Sequence, residues 1–384
     1  MLPLADIRVI EFCQVAAGPF CGMLLADMGA DVIKVEPPTG DTLRQWPPIT
    51  NGDSENFASL NRNKRSVVLD LKSPSDRDTA IELIGTASIL IENNRAGVMD
   101  RLGLGYEAMR ARFPKLVYCS ISAFGQTGPR ANEGGFDVTV QAMSGIMSVT
   151  GEEDGGPVKC GVPVSDFTAG LYAAYAALAL LRTGQGGYVD VPMLGASLAI
   201  GALQTSEYFG SGRNPRKLGS AHPRNAPYQA FRCGSGHIVI AAGNDKLWRE
   251  VCAIVGIEDL VDDPRFATTS LRARNQAVLA EAIEAKLEHT DPKEVLARLA
   301  KAGVPSSPIN DYSEALSDPQ VAHAGWVEAL ELPNGTVTRT FGNPITINGK
   351  REPVRSAPPA LGADTAEVRS WLKELATRPA KVGS

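Results

Sequence analysis

The chain has 384 residues, 43% of them hydrophobic, enough for one large folded domain and a smaller one. Its net charge of −5 argues against nucleic acid or an anionic membrane as partner, so an anionic ligand would have to be met by a few placed cations. The six cysteines lie far apart in apolar stretches with no C-x-x-C pair, and only four histidines occur, which points to reduced core thiols of a cytoplasmic protein and to no metal site.

The N-terminal stretch MLPLADIRVIEFCQ has no basic segment followed by a long apolar one, so no signal peptide is expected. Ile7 to Phe12 reads as a buried strand, followed by the turn Ala16-Ala17-Gly18-Pro19. A helix from Phe20 to Met28 ends at Gly29, and a second strand runs from Asp31 to Val35. Strand, small-residue turn, helix and strand make a βαβ unit, which implies a parallel sheet with right-handed crossovers. The turn lacks G-x-G-x-x-G, so a nicotinamide cofactor is not indicated.

The pattern continues with strands at Val67 to Leu71, Ser88 to Ile91 and Leu116 to Ile121, separated by helices at Ser75 to Ile84 and Tyr106 to Phe113. The polar run Asn61-Arg62-Asn63-Lys64-Arg65-Ser66 precedes the first of these strands. A doubly wound α/β domain follows, in which ligands bind beyond the carboxyl ends of the strands. Gln14, Lys72, Asn93, Asn94, Arg95, Phe124 and Gly125 fall there. A single Lys or Arg is usually only a solvated surface residue; repetition just after successive strands suits a phosphate-bearing ligand, which Arg holds bidentately.

Phe136 to Met147 reads as an apolar helix, and a Gly-rich loop then leads to Gly161-Val162-Pro163-Val164-Ser165-Asp166. Phe167 to Leu181 is an uncharged Ala/Leu run, read as a helix buried on every face and too short for a confident membrane span. Asp166 at its mouth has two readings. It is an N-cap, or it is a carboxylate held as the anion by the helix N-terminus and poised as a covalent nucleophile.

Tyr188 to Val191 adds a strand and Leu194 to Phe209 a helix. From about Ser211 a polar linker opens a smaller α+β domain. It contains a hairpin over Tyr228 to Cys233 and His237 to Ala242 and helices at Lys246 to Ile254, Leu271 to Leu287 and Pro292 to Ala302. A late hairpin turns at Asn334-Gly335, and a last helix, Thr365 to Leu375, opens on the capping-box pair Asp364 and Glu367. The domains are expected at 1–210, 211–325 and 326–384, the last a return segment completing the first, with a low-complexity tail after Thr377.

Several ordered stretches carry a family resemblance: Ala17-Gly18-Pro19, Gly29 to Glu36, Asn61 to Ser66, Leu69-Asp70-Leu71-Lys72, Arg95 to Gly103, Phe124 to Pro129 and the Asp166 helix. From Ile7 to about Leu375 the chain resembles the class III coenzyme A transferases, the group that includes formyl-CoA:oxalate transferase and the 2-methylacyl-CoA racemases. The resemblance implies a Rossmann-like, mostly parallel large domain with a smaller α+β domain, and a homodimer of interlocked chains. It implies Asp166 as the nucleophile, which takes the acyl group as a mixed anhydride and then carries CoA as a thioester. It also implies that CoA contacts Ala16, Ala17, Leu69, Lys72, Asn93, Asn94, Arg95 and Arg101.

Where that transferase pattern carries an Arg after Glu36, this chain has Pro37, leaving Arg44 as the nearest substitute. Gln14 and Ala16 differ from the formyl-CoA type, which speaks against oxalate. Racemases carry a His immediately before the residue matching Asp137; here that place is Phe136, which cannot move a proton. Leu218 to His222, Ala226 to Phe231 and Ala241 to Asp245 look most like the succinyl-CoA-dependent dicarboxylate CoA-transferases, though His222 is equally readable as an ordinary loop residue. The expected activity is reversible CoA transfer from an acyl-CoA, succinyl-CoA for preference, to a small organic acid, with no permanently bound cofactor. The alternatives are racemisation and a catalytically idle acyl-CoA-binding protein on the same fold.

Overall fold

The computed structural model describes residues 2–377, so the tail after Thr377 lies outside the described residues. The chain divides into two compact units. One comprises the chain up to Ile146, Lys159–Arg213 and the chain from Gln320; the other comprises Met147–Val158 and Asn214–Pro319. Part of the Gly-rich loop before Asp166 thus belongs with the smaller unit, which the sequence assigned to the larger.

The larger unit is built on six parallel strands: β1 (Arg8–Phe12), β2 (Asp31–Glu36), β3 (Lys64–Val68), β4 (Ile89–Glu92), β5 (Val117–Ser122) and β6 (Gly187–Pro192). Their order is β3-β2-β1-β4-β5-β6, the doubly wound arrangement expected. Alternate side chains point to opposite faces, and both faces are apolar. Val9, Val32, Ile89, Val117 and Cys119 pack on one side, and Ile10, Ile33, Val67, Leu90 and Tyr118 on the other. The first side is covered by α1 (Ala17–Asp27) and the second by α2 (Pro74–Ile84) and α3 (Tyr106–Arg112).

β3 begins three residues before the expected Val67 and ends at Val68 instead of Leu71. Its polar residues are strand residues because each finds a buried partner: Lys64 reaches Glu11, and the Ser66 hydroxyl donates to Glu36 at 2.6 Å. The return segment closes this edge, with the Asp364 carboxylate and Thr365 hydroxyl accepting the Ser66 and Val68 N–H groups at 2.8 and 2.9 Å. Asp364 is thereby engaged across the chain.

Two expected helices are broken. Phe136 to Met147 becomes α4 (Asp137–Met143) and a short turn at Ile146–Val149, parted by Gly145 at φ +84°. Leu194 to Phe209 becomes α6 (Met193–Ile200) and α7 (Ala202–Ser211), parted at Gly201. Between them lies α5 (Val164–Leu181), long and apolar enough to cross a membrane by length and composition alone. One face of it packs into the core through Ala169, Ala173 and Ala177. Gly170 sits so close to α1 that a Cβ there would meet the Ala17 carbonyl oxygen at 2.7 Å. The opposite face shows Leu171, Tyr172 and Tyr175, the last 72% exposed, so α5 is not buried all round as expected.

In the smaller unit the expected hairpin forms between Tyr228–Cys233 and Gly236–Ala241, and Ser306–Pro308 adds a third antiparallel strand that the sequence did not reveal. The expected helix Leu271 to Leu287 is two, Thr269–Arg274 and Gln276–Leu287. The break comes where the Asn275 side chain turns back to donate to the Arg265 and Leu271 carbonyls. The Arg272 guanidinium is fully buried and satisfied by the Ala226 and Phe266 carbonyls and by Asp245. All six cysteines are free thiols, five buried and Cys160 only half-buried.

Candidate active site

β1 and β4 are the neighbours at which the strand order reverses, and a crevice opens beyond their carboxyl ends. The two emerging loops are clasped by one side chain: Asn93 accepts the Gln14 N–H at 2.9 Å and donates to the Gln14 carbonyl at 2.8 Å. Above them lies a cavity of about 290 Å³. Gln14 to Ala17, Asn93 to Ala96, Ile121 to Ala123, Gly134 to Phe136, Asp166 and Met193 all line it.

Asp166 is the third residue of α5, inside the first turn; the N-cap position is Pro163, which offers no side-chain cap. The N-cap reading of Asp166 is therefore incorrect. The first turn is capped from outside instead, by Asp137, whose carboxylate accepts the Ser165 N–H at 2.9 Å and the Gln141 amide at 2.6 Å. Fully buried Gln141 is fixed in turn by the Cys160 N–H at 2.8 Å, and the Ser165 hydroxyl accepts from Ser197 at 2.9 Å. With its capping duty taken over, the Asp166 carboxylate makes no hydrogen bond among the described residues and faces the cavity.

Burial, reinforced by the negative charge of Asp137, pushes the Asp166 carboxyl up from the ordinary 3.8 to about 7. This corrects the expectation of an anion held firmly by the helix N-terminus. The first-turn dipole favours the charged form, but desolvation and the like charge outweigh it. A carboxylate of this kind is half protonated near neutrality and a stronger nucleophile once ionised.

Gly134 and Gly135 line the same cavity as Asp166, and their N–H groups have no partner among the described residues. Gly135 has no room for a side chain, whereas at Gly134 the obstacle is the movable end of exposed Arg95. A Cβ on Gly134 would meet the Arg95 guanidinium at 2.6 Å, and one on Gly135 would meet the Ala123 Cβ at 2.7 Å. Free backbone donors beside a nucleophile can receive a developing oxyanion.

Of the residues singled out from sequence, Gln14, Ala16, Ala17, Asn93, Asn94, Arg95, Phe136 and Asp166 line this cavity. Phe136 stands at the wall 71% exposed, and Asp137 lies behind, holding α5. Lys72 and Arg101 are exposed elsewhere on the unit, and neither they nor Arg95 has a side-chain partner among the described residues. Phe124 and Gly125 form the loop after β5, pinned where the Ser122 hydroxyl accepts the Gly125 N–H at 3.0 Å and Asp190 accepts the Gln126 N–H at 2.9 Å.

Two residues are placed against expectation. Leu69 is a core residue, 1% exposed. Arg44 grips Glu36 through two nitrogens at 2.7 and 2.8 Å, donates to the Pro359 carbonyl, and stacks on Phe57 at 3.7 Å, so its charge is spent inside the protein. In the smaller unit the His222 Nδ1 accepts the Arg224 and Asn225 N–H groups, the duty of a turn residue. Burial and the neighbouring Arg224 hold His222 below its ordinary pKa.

Sequence reasoning missed Val15, Gly134, Gly135, Gln141, Ser165 and Met193. The Gly134-Gly135 pair just before Phe136 was a readable signal; the capping of α5 by a residue of α4 was not.

The match to known proteins covers this whole arrangement. The model of CoA-transferase family III matches residues 4–365. The chain is 41% identical to a succinate–glutarate CoA-transferase of Agrobacterium fabrum over 97% of its own length and 96% of that protein's. It is 38% identical to an acetyl-CoA:oxalate CoA-transferase of Acetobacter aceti over 99% and 97% of the two chains. The crystal structure of a CAIB/BAIF family protein from Brucella suis superposes with a TM-score of 0.86 at 37% identity, covering 96% of this chain and 99% of that one. With the doubly wound fold and a free carboxylate in the switch-point cavity, this establishes that the chain belongs to CoA-transferase family III and is a CoA-transferase.

Proposed function

We propose that this enzyme moves CoA reversibly from succinyl-CoA to a small dicarboxylic acid, with Asp166 as the covalent nucleophile. The observation that carries the reading is the Asp166 carboxylate, free of hydrogen bonds among the described residues, in a cavity shared with Gly134 and Gly135 N–H groups that have no partner among those residues. An Asp166 oxygen attacks the thioester carbonyl; the C–S bond breaks and CoA leaves as its thiolate, giving an aspartyl–succinyl anhydride. The thiolate attacks the aspartyl carbonyl, releasing succinate and leaving an aspartyl-CoA thioester. The acceptor carboxylate then displaces CoA to form a second anhydride, and the returning thiolate attacks the acceptor's acyl carbonyl, freeing Asp166.

Succinyl as donor and a dicarboxylate as acceptor follow the Agrobacterium relative, at 41% identity, and the smaller-unit motifs. The Acetobacter relative, named for acetyl-CoA and oxalate, is the competing specificity. Lys72, Arg95 and Arg101 are the cations available for the CoA phosphates. A homodimer is part of the proposal, and the exposed Leu171, Tyr172 and Tyr175 on α5 supply apolar surface for one.

The test is a mass spectrum of the intact protein after incubation with succinyl-CoA and trapping with hydroxylamine or borohydride, beside an Asp166→Ala control. A modification at Asp166, absent from the variant, is expected. An unmodified Asp166 in protein that binds CoA would overturn the nucleophile assignment.

A further inference from the structure

Val15 lines the cavity with its backbone in the left-handed region, at φ +65°. For a β-branched residue this is a true outlier, and such strain persists only where the surroundings enforce it. The enforcing group is Asp41. Its carboxylate accepts the Val15 N–H, with oxygens at 3.1 and 3.3 Å, while one of them also accepts the Leu43 N–H at 2.9 Å.

Asp41 cannot relax, because it ends a chain of buried ions. Lys34 pairs with it at 2.9 Å and donates to the Cys13 carbonyl at 2.7 Å, just before the strained residue. Lys34 also meets Glu11 at 3.3 Å, and Glu11 receives Lys64 through both oxygens at 2.9 and 3.0 Å. Lys64 is anchored by the Pro19 carbonyl and Asn61. From the other side the Asp41 N–H donates to Glu36 at 2.9 Å. Glu11, Lys34, Asp41 and Lys64 are all essentially inaccessible to solvent, two carboxylates against two ammonium groups. Gly22 on α1 leaves the space that the Glu11 carboxylate fills, since any Cβ there would overlap it.

We propose that Asp41 is a positioning residue for CoA. It holds Val15 left-handed, so that the Gln14–Ala17 loop keeps the form in which it walls the cavity. Removing that grip loosens CoA binding without touching Asp166. The proposal rests on the CoA-transfer reading of this cavity, and CoA titration separates the two: wild-type protein that does not bind CoA would sink that reading itself.

The experiment measures the Kd of free CoA by calorimetry, with kcat and KM for succinyl-CoA, in three variants. Asp41→Asn removes the charge that pairs with Lys34 and one of the two oxygens that accept the Val15 N–H. Val15→Pro deletes the N–H and locks φ near −65° while leaving all four buried ions in place as residues. Asp41→Asn combined with Val15→Gly supplies a residue that takes the left-handed form unaided. Asp41→Asn and Val15→Pro are each expected to weaken CoA binding about tenfold, the weight of one strained residue, with the effect in KM far more than in kcat. Adding Val15→Gly to Asp41→Asn is expected to restore most of the affinity. A role in stability alone would leave the double variant no tighter than Asp41→Asn, and that result overturns the proposal. Should Asp41→Asn fail to fold, Val15→Pro decides: CoA affinity equal to wild type in that folded variant refutes it.

Discussion

Asp166→Asn removes a titrating group while keeping its size, and the raised pKa dictates what stability should do. In the unfolded chain an Asp ionises near 3.9, whereas folded Asp166 ionises at about 7, so between these values the native state holds a proton that the unfolded state has lost. Stability from this group is therefore complete below about pH 4 and is lost progressively as pH rises to about 7. A shift of roughly three units corresponds to about 4 kcal/mol, and allowing for solvent around the half-buried group leaves about 2–4 kcal/mol. Urea unfolding of wild type and Asp166→Asn at intervals from pH 4 to pH 8 measures it. The variant should gain on wild type through that window and stay ahead at pH 8, because it no longer carries a desolvated charge next to Asp137. A difference that is flat with pH, or a variant less stable than wild type at pH 8, would refute the raised pKa.

The rate of adduct formation at Asp166 should climb with pH and level off above about 7, where the carboxylate is ionised; stopped-flow acylation by succinyl-CoA would show this, and a profile flat from pH 5 would count against it. Gly135→Ala puts a Cβ 2.7 Å from Ala123 and pushes the Gly134–Gly135 donors away, so kcat should fall by at least about tenfold with circular dichroism unchanged. Gly22→Ala drives a methyl into the Glu11 carboxylate and splits the buried ion chain, and a loss of about 3–5 kcal/mol in denaturant unfolding is expected. With Phe136 in place of an acid/base residue, the protein should not exchange deuterium into the α-position of a 2-methylacyl-CoA, which proton NMR would detect.

Recurrent strand, turn and helix patterns sufficed for the parallel sheet, because buried strands and their crossovers announce themselves in local apolar runs. The same locality made Asp166 visible at the head of an apolar helix, and the ordered motifs carried the family. What the sequence by itself could not decide were contacts between residues far apart in the chain. Lys64 and Ser66 read as loop residues because their charge and polarity are cancelled only by Glu11 and Glu36, more than 25 positions away. Arg44 read as a ligand contact because nothing local shows that Glu36, Phe57 and the Pro359 carbonyl consume its charge. By spacing alone Asp166 read more readily as a cap, until tertiary structure brought Asp137 to the Ser165 N–H. That placement frees the Asp166 carboxylate and raises its pKa together, because both effects depend on which groups surround a side chain in space.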